Sequence, residues 1–163
     1  MTNDLSARME WAGFRKLAPD VNDLILSLGH AAKKAGLDND LLELIMVRAS
    51  QINGCAFCVQ FHILSAQGLG VSVDKLNLLV AWREAATFSA RERAALAWTE
   101  ALTHVAKGVS DEVFAEVSAE FSEKELAYLT AAIASINLWN RLGVAYRWTP
   151  PTRQKAAQPT IAP

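Results

Sequence analysis

Residues 43–62 read Glu-Leu-Ile-Met-Val-Arg-Ala-Ser-Gln-Ile-Asn-Gly-Cys-Ala-Phe-Cys-Val-Gln-Phe-His. The apolar face leading into this stretch takes in Leu41, Leu44 and Ile45, with Val47 at its edge, which is helical spacing. Asn53-Gly54 is a turn signal that ends this helix. A second helix then opens at Cys55. Elsewhere alanine and leucine recur and period-two runs of β-branched residues are absent, so the chain predicts an all-α fold.

Outward from this hairpin the helix boundaries follow from their terminating residues. A first helix is expected over residues 5–17, stopped by Ala18-Pro19. A second is expected over 20–35, with Gly36 beyond its last turn and Lys33 and Lys34 suiting its negative end. Asp38 is placed as the cap of the third helix. The fourth should end near Gly68 or Gly70, and Asp74 should cap a fifth running to about Ala85. Ser89 with Glu92, and Ser122 with Glu125, are serine–glutamate pairs at capping-box spacing. They fix helix starts near residues 90 and 123. Ser110 caps a short helix over 111–119, and the last helix runs from 123 to about 148, ended by Pro150-Pro151. This organisation reads as one helical domain over 1–149 and a flexible tail over 150–163, with no linker between domains.

Composition bounds the function. At 163 residues, 52% hydrophobic and 20% charged, the chain has enough apolar residues for a proper core. A net charge of −1 gives no electrostatic case for nucleic acid or for an anionic membrane surface. The uncharged run from Leu126 to Asn140 is too short to span a bilayer and reads as a buried helix. The start, Met-Thr-Asn-Asp-Leu-Ser, lacks the pattern of a secretory signal, so a cytoplasmic location is expected. Two cysteines in such a chain point to redox or metal work rather than to a disulfide scaffold.

The reactive residues are concentrated in 43–62. Cys55 and Cys58 form a C-x-x-C pair, His62 follows Cys58 by four residues and Glu43 precedes Cys55 by twelve. On a helix opening at Cys55, the cysteines and His62 fall on one face, with Cys58 and His62 one turn apart. The i, i+3 cysteines are near enough to close a disulfide with modest adjustment. An antiparallel return of the preceding helix brings Glu43 towards His62 and Cys58. Two assignments of the nucleophile stay open. The free N–H groups at the helix tip favour a thiolate at Cys55, whereas a carboxylate–imidazole relay favours Cys58.

These residues, with Ser50 to Cys58 around them, resemble the alkylhydroperoxidase D-like group of the carboxymuconolactone decarboxylase family. The similarity extends to Gly36-Leu37-Asp38, Ala81-Trp82-Arg83-Glu84, the segment from Glu92 to Glu100, and Asn137 to Leu142. The resemblance implies an all-α, homo-oligomeric protein, a hexamer or trimer, that reduces peroxides by a dithiol–disulfide cycle. It implies Cys58 as the attacking thiolate, Cys55 as the resolving thiol, and Glu43 with His62 as the proton relay. Phe57 stands where a well-known relative carries histidine between its cysteines. The partners implied are a hydrogen or organic peroxide and a dithiol protein or small-thiol reductant. No G-x-G-x-x-G fingerprint appears, so no nicotinamide or flavin cofactor is expected.

Rival readings accompany each residue. The cysteines can be inert core side chains. Glu43 can be an ordinary surface residue, or can pair with Arg48. Cys55, Cys58, His62 and Glu43 can be counted as zinc ligands, but one helix supplies i, i+3 and i+7 in poor tetrahedral geometry; no metal is expected. A c-type haem would need histidine directly after Cys58, where Val59 stands. The lyase chemistry that names the wider family does not need C-x-x-C, and a redox sensor would use the same pair as an enzyme. His30 and His104 read as structural or surface residues. Trp82, Trp98, Trp139 and Trp148 read as packing or subunit contacts.

Overall fold

The computed structural model describes residues 5–152, and among these it is built of helices and turns with no strand. Eight α-helices follow in order: α1 (Trp11–Leu17), α2 (Pro19–Lys34), α3 (Asn39–Asn53), α4 (Ala56–Gly68), α5 (Val73–Leu78), α6 (Ala90–Thr103), α7 (Asp111–Glu120) and α8 (Glu123–Tyr146). Short 3₁₀ turns cover Leu79–Ala81 and Val105–Lys107. The all-α expectation holds. The expected tail lies, from residue 153 onward, outside the described residues.

Helix α3 is the central element. It packs against α4, α6 and α8, and nine of its fifteen residues are buried, which its broad apolar surface requires. Two apolar clusters form around it. One gathers Leu41, Leu42, Ile45, Ala95, Leu129 and Ile133 between α3, α6 and α8. The other gathers Leu44, Val47, Leu79, Trp82 and Leu96 under α5 and α6. Trp82, Trp98 and Trp148 are all buried, as packing residues should be.

Several boundaries differ from expectation for identifiable reasons. Helix α1 begins at Trp11, not Leu5, because the preceding chain serves α8 instead: the N–H of Arg8 donates to the Tyr146 carbonyl at 2.9 Å. Asp38 occupies the N-cap of α3 but its side chain accepts no cap hydrogen bond; its carboxylate pairs with Arg91 at 3.8 Å. Ser72, not Asp74, caps α5, accepting from the Lys75 N–H. That helix stops at Leu78 and tightens into the first 3₁₀ turn, well short of Ala85.

Both capping boxes form as the spacing requires, at Ser89–Glu92 and Ser122–Glu125. The Ser122 N–H and hydroxyl, together with Arg91, hold the Glu125 carboxyl down to about 2. Ser110 caps α7 through the Val113 N–H. Helix α8 ends at Tyr146, before the prolines. Arg147 takes a left-handed conformation (φ 54°), its N–H donates to Val144, and the Trp148 N–H donates back to Gly143. This double closure is a Schellman motif built on a non-glycine residue, and it turns Trp148 back onto the bundle.

No helix among the described residues is long and apolar enough to cross a membrane.

Candidate active site

The α3–α4 hairpin is built by the Asn53-Gly54 signal. Gly54 adopts φ 69°, which a side chain would disfavour, and its N–H donates to Gln51. The Cys55 N–H donates to the Ser50 carbonyl at 3.0 Å. Together these bonds close α3 in a second Schellman motif. Cys55 therefore lies one residue outside α4, at its N-cap, with φ −85° and ψ 94°. The expectation that it sits inside the first turn, in phase with Cys58 and His62, is corrected accordingly. Its sulfur accepts a hydrogen bond from the Cys58 N–H at 3.3 Å, filling the capping role usually taken by an oxygen.

Cys55 and Cys58 are joined as a disulfide with Cα atoms 5.3 Å apart. Both are buried. One turn further along α4, the His62 Nδ1 lies 2.7 Å from Oε2 of Glu43 on α3. Glu43 is only 4% exposed, so the alternative of a surface glutamate fails. Its other oxygen lies 3.7 Å from the Lys33 ammonium at the end of α2. Arg48 does not pair with Glu43; it reaches Glu100 instead, at 2.7 Å. The structure thus forms two pairs among the four sequence-predicted residues, Cys55 with Cys58 and Glu43 with His62. An ionised carboxylate can only accept, so Nδ1 of a neutral His62 donates to Glu43 and Nε2 is its acceptor.

A polar ladder fixes the hairpin against α8. The Asn53 amide donates to Asn137 and to Asn140, each at 2.9 Å. Asn140 donates to the Ser50 hydroxyl, which donates to the Met46 carbonyl. Asn137 also donates to Thr103 and to the Ile133 carbonyl. Buried amides so fully used specify one register between α3 and α8. Neither Ser50 nor the asparagines stand out by role in the sequence, although Asn137 and Asn140 fall within the uncharged run over 126–140 that is expected to be buried.

Aromatic rings cover the cysteines. Phe57, between them in sequence, packs edge-on against Trp148 at 5.4 Å and lies 6.0 Å from Trp11 and 6.1 Å from Phe61. Trp148 in turn meets Phe14 and Trp139. Among the described residues no group of three or more His, Cys, Asp and Glu side chains is gathered as a metal site.

A second charged centre ties the α3 side of the hairpin to α6. The Glu100 carboxylate accepts from Arg48, from the Trp82 indole at 2.8 Å and from Arg83. Burial pushes its pKa up, but these three donors outweigh it and hold the group below 4.5.

An all-helical chain with a cysteine pair at a helix N-cap and a buried carboxylate–imidazole pair one turn away has the makings of a dithiol protein. Comparison with known proteins narrows this. Residues 19–101 match the carboxymuconolactone decarboxylase family, and the chain belongs to that family. It is similar to the uncharacterized protein YdfG of Bacillus subtilis (strain 168), with 32% identity over 133 residues, 81% of this chain and 90% of that one. Among solved structures, a protein of unknown function from Agrobacterium tumefaciens, named as a candidate antioxidant-defence protein AhpD, superposes with a TM-score of 0.84. Its identity is 36%, over 90% of this chain and 99% of that one. The debrominase Bmp8, solved with 2,3,4-tribromopyrrole, superposes with a TM-score of 0.73 over 85% of this chain and 74% of its own; at 23% identity it shares the fold alone.

Proposed function

We propose that this protein is a thiol-dependent peroxidase that cycles Cys55 and Cys58 between dithiol and disulfide. The observation that carries the reading is the 2.7 Å bond between Glu43 and His62, one helical turn from a cysteine pair already joined as a disulfide. In the dithiol state, Nε2 of His62 takes the Cys58 proton, and Glu43 stabilises the imidazolium that results. The Cys58 thiolate attacks one peroxide oxygen. The O–O bond breaks, the alcohol or water leaves with a proton, and Cys58 becomes a sulfenic acid. Cys55 then attacks that sulfur, water leaves, and the disulfide closes. A dithiol protein or small thiol reopens it by exchange. Each turn consumes one peroxide and either one external dithiol or two small thiols.

The steady-state test supplies peroxide and a dithiol reductant and follows peroxide loss. Turnover that disappears when either cysteine is replaced supports the reading; absence of turnover in the unaltered protein refutes it.

Oligomerisation belongs to the same proposal. Val21, Leu24 and Leu28 repeat every three or four residues along α2, all of them exposed, and Leu17 at the end of α1 is exposed as well. Helix α4 is apolar on every side, yet Val59, Phe61, Ile63 and Leu64 are only half-buried. Such faces are expected against further copies of the chain.

A second reading is favoured by the aromatic shell of Trp11, Phe57 and Phe61. The same dithiol can reduce a halogenated ring: the carbon–halogen bond breaks, halide leaves, a proton replaces it, and the disulfide forms. Halide release from 2,3,4-tribromopyrrole in the same assay separates the two substrates.

A further inference from the structure

Gly143 stands three positions before the end of α8, where glycine weakens a helix relative to alanine. Its φ is not positive, so the backbone there does not call for glycine. The space does. A Cβ at this position would lie 2.7 Å from Cys55 Sγ, 3.3 Å from Cys58 Sγ and 3.3 Å from Cε3 of Trp148. The first distance is shorter than any carbon–sulfur contact tolerates, so something would have to move.

The surroundings resist that movement. The Cys55 backbone is tied to the Ser50 carbonyl, and its sulfur is held by the bond to Cys58. Trp148 is bonded through its N–H to the Gly143 carbonyl itself and is wedged among Phe14, Phe57, Trp139 and Tyr146. The tightest of the three contacts falls on a sulfur whose position is pinned only while the disulfide exists. Once reduced, the Cys55 thiol can turn about its own Cα–Cβ bond.

We propose that Gly143 is a positioning residue that sets the redox balance of the Cys55–Cys58 pair: by presenting bare backbone to the sulfurs, it makes room for the disulfide, and any side chain there favours the dithiol. The inference rests on the dithiol–disulfide cycle of the proposed function but not on the peroxide step, which its test leaves out.

The experiment equilibrates the unaltered protein and Gly143→Ala with glutathione buffers of graded ratio. In each, protein dithiol and glutathione disulfide exchange to protein disulfide and two glutathione thiols. The protein thiols are then counted by alkylation and mass spectrometry. Overpacking of this kind should lower the equilibrium constant for disulfide formation by about tenfold or more, a rise in potential of about 30 mV. Agreement of the two constants within about twofold overturns the proposal. Thermal melts of both redox states separate it from a packing defect. Gly143→Ala should lower the melting temperature of the oxidised protein more than that of the reduced one, because the contact with Trp148 persists in both states and the tighter one with Cys55 only in the disulfide. An equal loss of stability in both states overturns the proposal. Should Gly143→Ala fail to fold, Cys55→Ala/Gly143→Ala is compared with Cys55→Ala. Recovery of folding once the sulfur is gone supports the assignment, and failure to recover overturns it.

Discussion

Oε2 of Glu43 and Nδ1 of His62 meet at 2.7 Å across two helices joined only by Gly54 and Cys55. The carboxylate fixes the orientation and tautomer of the ring, so the pair should act as a unit. His62→Gln and Glu43→Gln are each expected to slow oxidation of the reduced protein by peroxide by about 10²–10⁴-fold without abolishing it. Stopped-flow measurement of thiol loss checks this. Rates equal to the parent's would remove both residues from the reaction.

The cysteines should divide the labour. Cys58→Ser is expected to lose peroxide turnover entirely. Cys55→Ser should undergo a single oxidation, leaving a trappable sulfenic acid on Cys58. Mass spectrometry after one equivalent of peroxide reads the outcome. Rapid accumulation of sulfenic acid on Cys55 in the Cys58→Ser protein would reverse the roles.

Glu100 should matter to stability, with a pH signature. Replacement by glutamine weakens its bonds with Arg48 and Trp82 and is expected to cost about 2–3 kcal/mol near neutral pH; the bond to the exposed Arg83 adds little. The folded-state pKa lies below 4.5. The carboxylate's contribution is therefore fully present above that value and is lost as pH falls through the lowered folded one. Urea titrations from pH 7 to pH 3 should show the parent and Glu100→Gln converging at the acidic end. A constant gap would place the stabilisation elsewhere.

The exposed apolar stripe gives a direct test of assembly. Leu24 is 68% exposed on α2. Leu24→Glu should leave the monomer fold intact and shift the mass towards monomer in light scattering. A monomeric parent at micromolar concentration would sink the oligomer proposal instead.

The helices were legible where termination chemistry is local. Ser89–Glu92, Ser122–Glu125 and Asn53-Gly54 each act within three or four residues, and each formed as read. The spacing that grouped Glu43 with His62 was legible for the same reason, since one sharp turn between two helices leaves few ways to pack them. Boundaries set by distant partners were not. Arg8 bonds to Tyr146, and Asp38 turns to Arg91 rather than to its own helix. Gly143 was invisible because its role depends on a sulfur 88 positions away in the chain. Trp148 was misplaced into α8 because nothing in the local sequence marks Arg147 as a left-handed residue.

Cys55 closes α3 through its backbone N–H and caps α4 through its sulfur. The atom that changes oxidation state is therefore also the acceptor for the Cys58 amide. The disulfide holds that acceptor in place, whereas a thiol can turn about its Cα–Cβ bond, so each reduction slackens the start of α4 and each oxidation pins it again. Proton exchange at the Cys58 amide becomes a gauge of the neighbouring sulfur's redox state, slowest while the disulfide stands.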